Sequence, residues 1–262
     1  MISEFPLFLF ATLGGLTAGA YAASALLPSI PALAQEGARE RGVGRPWLLP
    51  LVCLALLGAG LLGVLGHLGR PERFLLALSN PTSMIAEEAY WSIALGLLVL
   101  VDLVLSARKG APSRAVRVLA AVCALVLMCI MGWAYFTAYG NPAWAAWPTL
   151  PLFVAGDLAM GTALVGLLDE TRWRTGPFVA VSVALSLVAA CSALVVGVQF
   201  SGLGHEVGFF VASALALALS SAFAIALCKG AVPEKAARLL AFCLAFGGVA
   251  ASRWAFYAAS IL

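Results

Sequence analysis

The sequence predicts an all-α integral membrane protein of eight transmembrane helices, with both termini on the outer side and the helices packed as two bundles. Three observations carry that expectation. Hydrophobic residues make up 63% of the 262-residue chain and charged residues only 10%, against about 25% charged in soluble domains. Mean hydropathy is +1.03. The apolar residues fall into eight runs, each near the roughly 20 residues that cross a bilayer as helix. They are continuous rather than alternating, which excludes a single-chain β-barrel.

In order, the spans are read at 5–29, 46–68, 84–106, 115–138, 149–168, 177–199, 207–228 and 237–261, within one polytopic domain covering 1–262. Glu4, rather than Lys or Arg, precedes the first run, so it reads as a retained span and not a cleavable signal peptide. Gly14, Gly15, Gly58, Gly60 and Gly161 lie inside runs and permit close helix approach. Asn80-Pro81 reads as the cap and first turn of the third span.

Orientation follows from the loops. Arg39, Arg41, Arg45, Arg108, Lys109, Arg114, Arg117, Arg172, Arg174, Lys229, Lys235 and Arg238 all fall on one side, twelve of the fifteen Lys and Arg. That side is cytoplasmic by the positive-inside rule. Arg70 and Arg73 are left outside, and Arg253 lies within the last span. A net charge of +3 dispersed in this way gives no basic patch for nucleic acid. The six cysteines form no CxxC pair and read as small buried hydrophobes, which speaks against an iron–sulfur or zinc site built by this chain alone. The two histidines are His67 and His205, the latter in the loop "SGLGHEVG", and they do not suit bis-His haem ligation.

Ionisable residues at membrane depth are costly and are functional candidates by default. Here they are His67, Glu87, Glu88, Asp102, Asp157 and Arg253. "GHLGRPERFL" (66–75) gathers His67, Arg70, Glu72 and Arg73 at the outer end of span 2, and Pro71 can begin a short interfacial helix. Glu87 and Glu88 enter span 3 at a similar depth, and being about 100° apart on the helix they cannot both face squarely inward. A histidine and a carboxylate facing one cavity suit proton exchange with a two-electron, two-proton carrier. The plainer alternative is a capping histidine and a Glu88 ion pair with Arg70 or Arg73. Asp157 and Arg253 lie at comparable depths and are expected to pair, either structurally or as quinone-positioning or proton-relaying groups. Asp102, near Arg108, reads as interfacial. Tyr139, Trp144 and Trp147 in "YGNPAWAAWPTLP" fit an aromatic belt, or the floor on which a partner docks.

The element "HLGRPERF" resembles the H-L-G-x-P-x-R element of membrane anchor subunits of the dimethyl sulfoxide reductase type (DmsC-like), relatives of NrfD and polysulfide reductase anchors. "SMIAEEAYW" is similar to that family's run ending in a glutamate, matched by Glu88. "YFTAYGNPAWAAWPT" is similar to its outer loop through Tyr135, Pro142, Trp144 and Trp147, and "SRWAFY" to its ending through Arg253, Phe256 and Tyr257. Asp157 is not part of that pattern. The resemblance implies a subunit that binds and oxidises menaquinol near the outer face. It implies electron transfer to a four-cluster iron–sulfur subunit and on to a molybdopterin catalytic subunit, in a prokaryotic cytoplasmic membrane. His67 and Glu88 would handle protons, with Arg70, Arg73, Tyr135, Arg253 and Asp157 around the quinol.

Other classes remain open. The same anchor working in reverse would reduce quinone for a dehydrogenase. A non-redox scaffold fits the aromatic loops but gives His67 and Glu88 no role. A secondary transporter calls for helices interrupted at mid-membrane, whereas the charged elements here sit at the outer edge.

Overall fold

The computed structural model describes residues 4–27, 45–67 (of His67 the backbone only), 76 and 78–259. Within them lie eight helices, all long and apolar enough to cross a membrane, and no strand. They are α1 (Phe5–Leu26), α2 (Leu48–His67), α3 (Met84–Lys109), α4 (Arg114–Phe136), α5 (Thr149–Leu168), α6 (Gly176–Gly202), α7 (Gly208–Cys228) and α8 (Glu234–Ala258). A short 3-10 turn, Glu170–Arg174, joins α5 to α6. The eight spans fall where the hydropathy places them, with ends shifted by a few residues, as helix ends are soft.

The packing is two rings of four that share a seam. Helices α1 to α4 form one ring and α5 to α8 the other, and α1 and α5 make the extensive contact between them. Along their most apolar stretches α1 and α5 are 67% and 72% buried, against 22% for α2. Lipid supplies no hydrophobic drive between helices, so the centre goes to those whose surfaces allow the closest approach. Gly15 and Gly19 form a G-x-x-x-G face on α1. A Cβ at Gly19 would fall on the Asp157 carbonyl, and one at Gly161 would fall on the Gly19 backbone. Thus the glycines of α1 and α5 interlock backbone to backbone.

Three details depart from the sequence reading. The cap of α3 is Ser83, whose hydroxyl accepts from the Ala86 N–H at 3.2 Å, while Asn80 lies in the preceding turn and accepts from the Thr82 hydroxyl at 2.9 Å. Only Cys53 is buried, whereas Cys129, Cys191, Cys228 and Cys243 face outward. In a bilayer both the core and the outer face are apolar, so hydrophobicity alone does not separate them.

Asp102 is the third. It is fully buried and ion-paired with Arg117 at 2.8 Å, not interfacial beside Arg108. Tyr21 and Ser106 hydroxyls also donate to it, each at 3.2 Å, and Arg117 reaches the Pro46 carbonyl at 3.3 Å. This cluster ties α1, α3 and α4 and the approach to α2 at the end of the bundle opposite the termini. At that same end Arg172 donates to the Leu27 carbonyl at 3.0 Å and Arg238 pairs with Glu170 at 3.2 Å.

Replacing Gly19 with valine drives a side chain into the α5 backbone and is expected to destabilise the chain by about 1–3 kcal/mol or more. Gly247, with nothing within 4 Å of a built Cβ, supplies the matched control. Thermal unfolding in detergent should show a lowered midpoint for Gly19→Val and an unchanged one for Gly247→Val.

Candidate functional site

The end of the bundle that carries both termini gathers the end of α2, the start of α3, the end of α4, the 137–148 connection, the α6–α7 turn and the end of α8. Ser83 starts α3 so that Glu87 falls in its first turn and Glu88 immediately after. The Tyr90 hydroxyl donates to the Leu78 carbonyl and ties the approaching chain to that turn. Glu88 is half-buried and lies within Coulombic range of two phenols, Tyr135 on α4 and Tyr257 on α8.

An aromatic box surrounds the phenols. The Tyr135 ring stacks on Phe153 at 5.2 Å and meets Tyr257, Trp144 and Phe256 edge-on at 5.3, 5.3 and 5.5 Å. Trp144 closes the top: its ring stacks on Phe256 at 5.6 Å and its indole N–H donates to the Phe256 carbonyl at 2.8 Å. It therefore turns inward rather than joining an interfacial belt, because its N–H finds a partner only on the C-terminal turn of α8. Tyr139 and Trp147 from the same connection are 79% and 68% exposed.

Beneath the box lies Arg253, fully buried, with its guanidinium 4.6 Å over the Phe153 ring. It donates to the Asp157 carboxylate and to the Ala11 carbonyl. Asp157 in turn lies against Gly15, where a Cβ would overlap its carboxyl. Asp157 Oδ2 and Arg253 Nε are buried polar atoms without a hydrogen-bond partner among the described residues. Buried polar atoms of this kind demand compensation, so the polar file under the box is not saturated by its own contacts.

Glu88 and Arg253 thus both lie within Coulombic range of Tyr135 and Tyr257, and the Arg253–Asp157 pair carries the polar groups on into the seam. The side chain of His67, Arg70 and Arg73, and the interfacial helix expected after Pro71, lie outside the described residues, although α2 itself ends at His67 on this same end. His205 does not join the box. It lies half-buried in a neighbouring cleft of about 500 Å³ with Glu4, Asn141 and Ala259, on the far side of Trp144. Among the described residues no group of three or more His, Cys, Asp or Glu side chains is placed to hold a metal ion.

Tyr257 is the component with the weakest sequence signal. A tyrosine near the end of an apolar run looks like an interfacial anchor, yet here it is fully buried against Tyr135. The signal was its spacing: Arg253 and Tyr257 are four apart, so they share one helix face.

A family model described as DMSO reductase anchor subunit (DmsC) matches residues 1–258. The chain belongs to that family. No curated protein matches it. The match covers all eight spans, so this DmsC-family chain is a multi-pass membrane anchor of a DMSO reductase complex. The polar file belongs to the anchor itself and not to an appended segment.

Removing one partner of a buried ion pair leaves an uncompensated charge and costs about 3–5 kcal/mol, whereas an apolar replacement of both is far better tolerated. Asp157→Leu is accordingly expected to lower the thermal midpoint of the purified anchor sharply. Asp157→Leu with Arg253→Met should recover most of the loss, as measured by unfolding in detergent.

Proposed function

We infer that this anchor oxidises a quinol, menaquinol by family resemblance, at the end that carries its termini. The observation that carries the reading is a half-buried Glu88 within Coulombic range of the Tyr135–Tyr257 pair, with the buried Arg253 in range of the same pair. A quinol must give up two protons with its two electrons, so its site needs an acceptor at the water-facing edge and apolar walls for the ring. Glu88 supplies the acceptor. Tyr135 and Trp144, half-buried over the fully buried Phe153 and Phe256, supply aromatic surface against which a planar headgroup packs.

In this mechanism His67 accepts a hydrogen bond from one quinol hydroxyl while Glu88 takes the proton of the other. Tyr135 presents its hydroxyl to the ring edge, backed by the fully buried Tyr257. Arg253 acts from below, holding the phenols in a positive field, and Asp157 acts through Arg253 by fixing its orientation. Arg70 and Arg73 steer the headgroup or meet acidic groups on a partner. Loss of two protons and two electrons converts quinol to quinone. The protons leave through Glu88 and His67 to the adjoining water, and the electrons pass to an iron–sulfur subunit docked over the exposed Tyr139 and Trp147. From there they reach a molybdopterin catalytic subunit.

The proposed membrane is the prokaryotic cytoplasmic membrane, with this end on its outer face. In support, Arg108, Lys109, Arg114, Arg117, Arg172, Arg174, Lys229, Lys235 and Arg238 all gather at the opposite end of the bundle.

Glu88→Gln and His67→Ala, assayed in the intact complex, are expected to lower quinol-dependent reduction at least about tenfold, the range over which a positioned acid or base acts. Reduction driven by an artificial dye that delivers electrons directly to the partner subunits should be retained. Full quinol turnover in both variants would remove these residues from the site.

A further inference from the structure

At the end of the bundle opposite the termini the two rings differ in how their cations are answered. In the second ring the arginines meet acids: Arg172 pairs with Asp169 at 3.2 Å, Arg238 with Glu170 at 3.2 Å and Arg174 with Glu234 at 3.5 Å. In the first ring Arg45, Arg108, Lys109 and Arg114 are all exposed, and none forms an ion pair among the described residues. The acid nearest them, Asp102, is fully buried and engaged by Arg117. The 28–44 stretch before Arg45 contains two glutamates and two arginines and so carries no net charge. The corner is strongly cationic.

Three helix ends bring these cations together. Arg108 and Lys109 close α3, and Gly110, at φ 65°, turns the chain so that Arg114 opens α4. Arg45 stands just before α2. The Arg117 guanidinium donates to the neighbouring Pro46 carbonyl at 3.3 Å, which holds that approach against the first turn of α4. Below the cations the surface turns apolar at once. Val104 lies one turn from Arg108 and Val118 one turn from Arg114, each on the same helix face as its arginine, and both valines are exposed. Val101, Leu119 and Val122 continue the outward face towards the middle of the membrane. The corner thus has the order of a phospholipid, with charge at the surface and hydrocarbon beneath.

We propose that this corner binds the phosphate headgroup of an anionic phospholipid, whose acyl chains lie along the outward faces of α3 and α4. Arg108 and Arg114 hold the phosphate, since a guanidinium makes paired, charge-assisted hydrogen bonds to phosphate oxygens. Lys109 and Arg45 add charge at the rim. Basic sites between transmembrane helices suit anionic headgroups, and each cation near the surface strengthens the attraction. A zwitterionic headgroup brings an ammonium of its own among four cations and is disfavoured. The lipid also compensates for a weakness in the packing. Along its most apolar stretch α2 is 22% buried, the least of the eight helices. A headgroup shared between Arg45 and the Arg108–Arg114 pair ties the start of α2 to α3 and α4. The site lies at the opposite end of the bundle from Glu88 and does not rest on the quinol reading.

The test titrates dioleoylphosphatidylglycerol, dioleoylphosphatidylcholine and inorganic phosphate separately onto the intact complex in an uncharged detergent. Bound lipid is counted by native mass spectrometry, and the thermal midpoint is followed in parallel. Phosphatidylglycerol is expected to bind and to raise the midpoint, and the other two to do neither at the same concentration. In Arg108→Gln with Arg114→Gln, affinity for phosphatidylglycerol is expected to fall about thirtyfold, the product of two cations at about fivefold each. Lys229→Gln with Lys235→Gln removes the same charge from exposed positions at this end of the second ring and is expected to leave the affinity unchanged. None of the four side chains forms an ion pair among the described residues, so both variants are expected to keep the lipid-free midpoint of the wild type. Undiminished phosphatidylglycerol binding in the arginine variant overturns the proposal. An equal fall in both variants also overturns it, because the attraction is then a diffuse surface charge. So does equal binding of phosphatidylcholine, or an equal midpoint rise with inorganic phosphate, which makes the ligand a free anion without a lipid chain.

Discussion

The structure depends on the contact between α1 and α5. Gly15, Gly19 and Gly161 let two helix backbones meet without intervening side chains, and each ring of four helices is built outward from that seam. In lipid such a contact rests on van der Waals packing and hydrogen bonding rather than on hydrophobic burial. It also creates a recess on α1 in which Asp157 lies against Gly15. Arg253 of α8 enters that recess, pairs with Asp157 and caps the Ala11 carbonyl. Three helices are thereby joined around one buried charge pair.

That pair couples the fold to the chemistry. Arg253 is fixed by α1 and α5, and one turn later on α8 Tyr257 is fixed against Tyr135. Trp144 then locks the top by bonding to the Phe256 carbonyl. The result is a rigid aromatic floor at the edge of the membrane, with Glu88 presented to it from α3. On the proposed quinol reading, rigidity matters because a site that exchanges protons with a small planar carrier works through placement of its groups. At the opposite end the first ring is fastened independently by Asp102, Arg117 and Tyr21, 0% exposed at Asp102 and Tyr21.

Much of this was legible in the sequence. Eight apolar runs give eight helices because a 20-residue apolar segment has no other stable state in lipid. The partner of Asp157 is also readable, since Arg253 is the cation within a span at matching depth. The order of "HLGRPERF", Glu88, the Tyr–Pro–Trp loop and the Arg253 tail pointed to the DMSO reductase anchor family. What escaped was lateral. Hydropathy carries no information on which side of a helix meets protein and which meets lipid, so it does not separate the outward cysteines from the buried Cys53. The burial of Asp102 is hidden for a similar reason: its partner Arg117 lies on the next helix, and Arg108 is nearer only in sequence. Trp144 and Trp147 are three apart in one loop, yet one turns inward and the other outward. That division depends on a carbonyl of α8 that no local pattern reveals.

The central claim is that Glu88 and the Tyr135–Tyr257 pair form a quinol site. It is tested most directly by titrating a fluorescent quinol-analogue inhibitor into membranes carrying the wild-type complex and into membranes carrying Glu88→Ala with Tyr135→Phe. The prediction is saturable quenching at one inhibitor per wild-type complex and its loss in the double variant at equal complex content. Equal quenching in both membranes would contradict the claim.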